Sequence, residues 1–159
     1  MRLILAAVGR MKKGPEQDLC ARYMERARTG ARHAGFSGVE IREFAESNAR
    51  SAPERMADEA TRLVTALPPG ARLALLDERG KVLGSREFTN DLADARMHVP
   101  TYVLALGGPD GHGPEARERA DLIVSFGAMT WPHQLARIMA AEQLYRATTI
   151  LTGHPYHRE

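Results

Sequence analysis

The order of apolar and polar positions along the chain predicts strands and helices in alternation. Short apolar or alternating runs indicate strands, and longer runs with an apolar residue every three or four positions indicate helices. Five strands are predicted, at about 2–8, 39–44, 73–76, 101–106 and 122–124. Each is followed by a predicted helix, at about 15–32, 51–67, 85–97, 114–119 and 132–147.

Local signals set some of these boundaries. Ser51-Ala52-Pro53-Glu54 is the clearest helix start, because Ser caps a helix, Pro fits the first turn and Glu closes a capping box. The run Asp77-Glu78-Arg79-Gly80 follows the third strand and predicts a turn.

The alternation predicts an α/β fold with a mostly parallel sheet, formed by residues 1–159 as one domain. Ligands of such sheets bind beyond the carboxyl ends of the strands. We therefore expect a site where the loops after Leu76, Leu106 and Val124 meet.

Composition favours a globular protein of the cytoplasm. Apolar residues make up 43% of the chain and charged residues 26%, which is enough for a core and too balanced for disorder. The apolar run at 3–8 is too short for the core of a signal peptide, and no run has the length of a membrane span. Cys20 is the single cysteine, so an intramolecular disulfide is excluded.

Positive charge is concentrated near the start of the chain. Residues 1–33 carry eight basic and three acidic side chains, although the whole chain has a net charge of only +2. Such a basic segment suits a polyanion such as RNA, because phosphate contacts supply affinity without reading sequence. A solvated helix face without a partner explains the same charge equally well.

The loop at 107–114, Gly-Gly-Pro-Asp-Gly-His-Gly-Pro, follows a strand and opens a helix. Gly111, Gly113 and Ala116 match the dinucleotide fingerprint, which would indicate a nucleotide-dependent oxidoreductase. We disfavour that alternative because the fingerprint needs an acidic residue about 20 positions on. Asp121 is too near and Glu142 too far.

A metal site is also disfavoured. His154 and His157 have ligand spacing, but Pro155 interrupts the helical register and no cysteine or carboxylate other than the terminal Glu159 lies nearby. We therefore expect no metal.

The C-terminal segment carries the most specific motifs. They are Met129-Thr130, Pro132-His133-Gln134-Leu135, Arg137, Glu142-Gln143-Leu144-Tyr145-Arg146-Ala147 and Pro155-Tyr156-His157. Together with the glycine loop and the first strand, they resemble the RlmH family of large-subunit rRNA methyltransferases. The resemblance covers the whole chain. Gly113, Gly127 and Trp131 depart from its common pattern.

The resemblance implies a SPOUT α/β-knot fold with a C-terminal trefoil knot. It implies S-adenosylmethionine as cofactor, a homodimer in which both subunits contribute to each site, and no membrane partner. The implied reaction is methylation of N3 of pseudouridine 1915 in 23S rRNA, in the large subunit or the assembled 70S ribosome. A non-catalytic RNA-binding protein is the other alternative.

The resemblance also implies site residues. Cofactor contacts map to Leu76, Gly107, Phe126, Gly127, Ala128, Met129, Thr130 and Trp131. Catalytic candidates are Tyr156, as a stacking surface, with His157 and Arg158 as cationic groups near the base. His157 can act as a general base, whereas Arg158 cannot because it stays protonated.

Overall fold

Ten elements alternate along residues 1–158, which are the residues that the computed structural model describes. The strands are β1 (Arg2–Val8), β2 (Gly38–Phe44), β3 (Arg72–Val82), β4 (Thr101–Leu106) and β5 (Leu122–Ser125). The helices are α1 (Pro15–Ala31), α2 (Ala52–Thr65), α3 (Ser85–Ala95), α4 (Pro114–Arg119) and α5 (His133–Thr152).

The strands form one sheet in the order β2-β1-β4-β3-β5, and every neighbouring pair is parallel. This confirms the predicted α/β class. Successive residues of β1 face opposite layers, as the two-residue period of a strand requires. Leu3 and Leu5 pack with α1, α3 and α5, whereas Ile4 and Ala6 pack with α2 and α4. The trefoil knot stays a prediction.

The start of α2 has the predicted capping box. The hydroxyl of Ser51 accepts the Glu54 N–H at 3.4 Å, and the Glu54 carboxylate accepts the Ser51 N–H at 3.1 Å. Capping of this kind stabilises a helix by about 1 kcal/mol.

The prediction that β3 ends at Leu76 and that a turn follows was wrong. The strand continues to Val82, and its pairing with β5 shifts register between Leu76 and Lys81. Gly80 permits this, because a Cβ atom there would lie 2.4 Å from the carbonyl carbon of Val124. The polar sequence of residues 77–80 is typical of a turn. Its strand conformation could not be predicted locally, because β5, which pairs with this part of β3, comes more than forty residues later in the chain.

Helix α5 extends one turn beyond the predicted end and stops at Gly153, whose φ of 68° is left-handed. Threonines are poor helix formers, but Thr148 and Thr149 are buried here, and each hydroxyl donates to a carbonyl of the preceding turn at 2.7 Å. Gly30 of α1 makes room for them: a Cβ there would lie 2.8 Å from the Thr148 hydroxyl.

Candidate functional site

A cavity of about 470 Å³ opens at the carboxyl ends of β4 and β5, beside the middle of β3. The strand register explains why three segments converge there. Leu76 pairs with Leu106 of β4 and with Val124 of β5, so the three segments lie at one level of the sheet. This is the place where the order of elements predicted a ligand site.

Seven of the eight residues predicted to contact the cofactor line this cavity, and Ala128 does not. The seven are Leu76, Gly107, Phe126, Gly127, Met129, Thr130 and Trp131. The structure therefore brings the three sequence segments together, while their role in binding a cofactor stays a prediction.

The glycine loop after β4 folds back on itself. The N–H of Gly111 donates to the carbonyl of Gly108 at 3.0 Å, and Gly111 has a φ of 87°. A Cβ atom on Gly107 would lie 2.7 Å from the carbonyl carbon of Gly111. The loop therefore requires glycine at 107 for its own shape, before any ligand is considered.

A second set of contacts connects this loop to the middle of β3. The imidazole Nε2 of His112 lies 3.2 Å from the carbonyl oxygen of Leu76, and Arg117 donates to Asp77 at 2.6 Å. Burial lowers the pKa of His112 to about 4, so the ring is neutral at physiological pH. Burial alone would raise the pKa of Asp77, but hydrogen bonds from the Arg79 N–H and Arg117 leave it below its ordinary value.

The third wall is a tight turn after β5. The hydroxyl of Ser125 accepts the N–H of Gly127 at 3.1 Å and donates to its carbonyl at 3.0 Å. Gly127 has a φ of 110°, and a Cβ atom there would meet nothing within 4 Å. The backbone of this turn is therefore accessible from the cavity. Met129 and Trp131 follow it and are exposed.

A buried arginine holds the start of α5 against the sheet. Arg137 is 1% exposed, and its Nη2 donates to the carbonyl of Gly9 at 2.8 Å, while Nη1 donates to Glu43 of β2. The same Nη2 lies 3.4 Å from Nε2 of His133, which lines the cavity. Burial, followed by the charge of Arg137, lowers the pKa of His133.

The sequence alone did not indicate a function for Arg137 and its hydrogen-bond partners. The available signal was a charged residue among the apolar positions of α5, between Ala136 and Ile138. A charge on the apolar face of a helix needs polar partners, but the sequence does not reveal that they are Glu43 of β2 and the carbonyl of Gly9, just after β1.

The three catalytic candidates fold back along α5 and do not line the cavity of their own chain. The Tyr156 hydroxyl donates to Glu142 at 2.9 Å, and Nδ1 of His157 lies 3.3 Å from Nη1 of Arg146. Arg158 is exposed to solvent. Tyr156 and His157 are therefore packed against the helix.

The dinucleotide alternative does not fit the geometry. Asp121 accepts the N–H of Leu73, near the first residue of β3 and at the opposite end of the sheet from the cavity. Gly113 packs against α2, where a Cβ atom would lie 2.4 Å from the carbonyl oxygen of Met56. Gly113 therefore serves the packing of this loop, and Gly111 serves its turn, with a φ of 87°.

Within residues 1–158, no group of three or more histidine, cysteine, aspartate or glutamate side chains is arranged to hold a metal ion. Over the same residues, no helix combines the length and apolar character needed to cross a membrane.

Comparison with known proteins adds relatives of matching length. A protein of Methylocella silvestris named ribosomal RNA large subunit methyltransferase H is 57% identical over 160 residues, which cover 100% of both chains. Proteins of the same name from Mesorhizobium japonicum and Brucella anthropi are 52% and 50% identical, each over 99% of both chains.

Among solved structures, the SpoU methyltransferase AviRb from Streptomyces viridochromogenes, in complex with its cofactor AdoMet, is similar at a TM-score of 0.39 and 15% identity. The match covers 92% of this chain and 57% of that one. A family described as "Predicted SPOUT methyltransferase" matches residues 1–157. The chain therefore belongs to the SPOUT methyltransferases and, among them, to the family of ribosomal RNA large subunit methyltransferase H.

Proposed function

We propose that this protein transfers a methyl group from S-adenosylmethionine to N3 of pseudouridine 1915 in 23S rRNA of the ribosome. The observation that carries the proposal is the match over the full chain, at 57% identity, to a relative named for methylation of large-subunit rRNA. The proposed reaction takes place in the cytoplasm, because its ribosomal substrate is located there.

The cavity suits S-adenosylmethionine in size and lining. Its volume of about 470 Å³ lies within the range of small-molecule pockets. Leu76, Leu106 and Phe126 offer apolar contact for an adenine ring. Added Cβ atoms at Gly111 and Gly127 would meet nothing within 4 Å, so a ligand can approach the backbone closely at both positions.

When bound, the cofactor supplies an electrophilic methyl group on sulfur. The protein must then align N3 with that methyl group and favour the loss of the N3 proton. Alignment alone can contribute about 7–11 kcal/mol to lowering the barrier. Tyr156 offers a stacking surface for the base, and His157 and Arg158 offer polar groups for the negative charge that develops on it.

The protein works as a homodimer in this proposal, because the tail lies away from the cavity of its own chain. Glu142, which binds Tyr156, is six residues further along α5 than Ala136, the last helix residue that lines the cavity. At the rise of an α-helix, this separation is about 9 Å. A second α5 packed antiparallel to the first would bring the tail of one subunit towards the cavity of the other.

Exposed apolar side chains near the cavity support this interface. Met129, Trp131 and Leu135 are 73%, 40% and 43% exposed in the single chain, and they cluster where the turn after β5 enters α5. An apolar patch of this kind is typical of a surface that a partner covers. A second copy of the same chain can cover this patch. In a dimer with two-fold symmetry, each copy then covers the patch of the other.

The decisive experiment follows a labelled methyl group from S-adenosylmethionine into ribosomes that lack the modification. Assembled ribosomes, isolated large subunits and free 23S rRNA are compared, and the product base is mapped. We expect label at N3 of one pseudouridine. Calorimetry with S-adenosylmethionine and NAD separates the alternatives: binding of NAD alone would support the oxidoreductase, and RNA binding without methyl transfer would support a non-catalytic protein.

A further inference from the structure

The contact between His157 and Arg146 constrains the protonation of the imidazole. Nη1 of Arg146 lies 3.3 Å from Nδ1 of His157. A guanidinium group has donors and no acceptor, so Nδ1 must be the acceptor in this hydrogen bond. A neutral imidazole that accepts at Nδ1 carries its proton on Nε2. The edge of the ring away from Arg146 therefore presents a donor.

Arg146 is itself held in a fixed orientation. Its Nη2 donates to Oε1 of Glu142 at 2.6 Å, and Glu142 also accepts from Gln143 at 2.8 Å. The hydrogen bond to Glu142 is the main cause that raises the pKa of Arg146, so the guanidinium stays charged. The Glu142 and Arg146 side chains are 14% and 25% exposed.

The same pair also holds the tyrosine of the tail. The Tyr156 hydroxyl donates to Oε1 of Glu142 at 2.9 Å, and the centre of the Arg146 guanidinium lies 5.0 Å from the centroid of the Tyr156 ring. Within the described residues, the titratable and charged groups around the tail include Glu142, Tyr145 and Arg146 of α5, Tyr23 and Arg26 of α1, and His154 and Arg158 of the tail.

We propose that Arg146, fixed by Glu142, is a positioning residue that holds His157 as an Nε2–H donor, so that His157 donates a hydrogen bond to the substrate base and does not accept its N3 proton. This inference rests on the proposed function and assigns a role at the same site. The N3 proton passes to water or hydroxide. The negative charge left behind is shared with the two oxygens that flank N3, and the Nε2–H group stabilises one of them.

Three substitutions of His157 in the full-length protein distinguish donor from base. Gln places an amide N–H near the position of Nε2, Asn places one near Nδ1, and Ala removes both. For a donor, kcat of His157→Gln falls about threefold to tenfold, while His157→Asn and His157→Ala lose about a hundredfold or more. The pH profile of His157→Gln then has the same shape as that of the wild type.

A general base gives the opposite pattern. His157→Gln would then be as slow as His157→Ala, and both would lose the limb of the pH profile that belongs to the imidazole. That result would overturn the proposal. Cofactor affinity, measured by calorimetry, is expected to stay within about twofold in all three variants, since the proposed donor acts on the substrate base and not on the cofactor.

Substitutions of Arg146 test the positioning role. Arg146→Lys keeps a charged donor and should restore part of the kcat that Arg146→Met loses, without a matching change in KM. Equal losses in both variants, with equal falls in melting temperature, would indicate a purely structural role and overturn the assignment.

Nitrogen NMR of the imidazole separates failure of this inference from failure of the proposed function. The wild-type protein without RNA should have the His157 proton on Nε2, and Arg146→Met should shift the Nδ1 resonance. A proton on Nδ1 would refute the inference even if methyl transfer is confirmed. The absence of methyl transfer to any RNA would refute the proposed function, and with it the donor role.

Discussion

The imidazole of His112 joins two walls of the cavity, because its Nε2 lies 3.2 Å from the carbonyl oxygen of Leu76. His112 belongs to the loop after β4, and Leu76 lies in β3. The ring is 6% exposed, and burial is the main cause that lowers its pKa to about 4. The folded state therefore favours the neutral form of the His112 imidazole.

Acidification should destabilise the protein through His112. In the unfolded chain the imidazole has its ordinary pKa near 6.5, so the unfolded state binds a proton at a pH where the folded state does not. Stability from this group is complete above pH 6.5 and falls as the pH decreases towards 4. At pH 5 the loss is about 2 kcal/mol. Urea unfolding at pH 7 and pH 5 measures it.

The matched variant is His112→Gln, which keeps a donor for Leu76 and has no proton to gain. Its stability should fall less between pH 7 and pH 5 than that of the wild type, by about 2 kcal/mol. The remaining loss includes His133, whose pKa is also lowered by burial. An identical pH dependence in the two proteins would contradict a neutral, buried His112.

Much of the fold could be predicted because its strands are simple to recognise. All six residues of β4 are buried, and β1 is buried from Leu3 to Val8, so both appear as continuous apolar runs. The second half of β3 could not be recognised in this way. Its need for Gly80 arises from the backbone of Val124, a contact that local sequence does not encode.

The location of the site could be predicted from the sequence, but many of its contacts could not. The order of elements alone placed it at the ends of β3, β4 and β5, because parallel strands end at a common edge. The partners of Arg137 were not predictable, since Glu43 and Gly9 are 94 and 128 residues away in the chain. The candidate roles of Tyr156, His157 and Arg158 came from family resemblance, because nothing in local periodicity marks a terminal segment as catalytic.

Replacing Gly107 should abolish cofactor binding by displacing the glycine loop. An added Cβ would lie 2.7 Å from the carbonyl carbon of Gly111 and 3.0 Å from the backbone nitrogen of His112, and backbone atoms cannot move aside without moving the loop. We expect Gly107→Ala to lower affinity for S-adenosylmethionine about a hundredfold and Gly107→Val to remove it, as calorimetry measures.

The control is Gly38→Ala in β2, where an added Cβ meets nothing within 4 Å. It should bind the cofactor normally, with a melting temperature close to that of the wild type. If Gly107→Val also binds normally, the glycine loop is not part of the cofactor site.

The basic face of α1 should contribute to RNA binding mainly through Arg22. Arg28 binds Glu25 and the carbonyl of Val39, and Arg26 lies over the ring of Tyr23, so reversing either charge would also disturb packing. Arg22 is exposed. Arg22→Glu should weaken ribosome binding about fivefold to tenfold at low salt and reduce the salt dependence, leaving cofactor affinity unchanged.

Arg50→Glu is the matched control for Arg22→Glu. Arg50 is exposed before α2, in the layer on the other side of the sheet, and its reversal changes the net charge by the same amount. Filter binding to ribosomes across a salt series compares the two variants. Equal effects of the two variants would mean that net charge, rather than the face of α1, determines binding. If Arg22→Glu has no effect, the basic face of α1 is a solvated surface without an RNA partner.

Removal of residues 156–159 should abolish methyl transfer while the protein still folds, dimerises and binds cofactor. The deletion removes the ring of Tyr156, which packs 4.6 Å from that of Tyr145, so a small fall in melting temperature is expected. Tyr156, His157 and Arg158 do not line the cavity of their own chain. A tailless protein with near-normal turnover on ribosomes would remove Tyr156, His157 and Arg158 from the catalytic residues.

Mixed dimers test whether the tail acts on the cavity of the other subunit. The tailless chain has an intact cavity, and a Gly107→Val chain has an intact tail, so each homodimer should be inactive. In a mixed dimer, one cavity meets an intact tail across the interface. Random mixing should then restore about a quarter of wild-type activity. If each tail instead serves its own cavity, no combination of these two chains contains a complete site, and the mixture stays inactive.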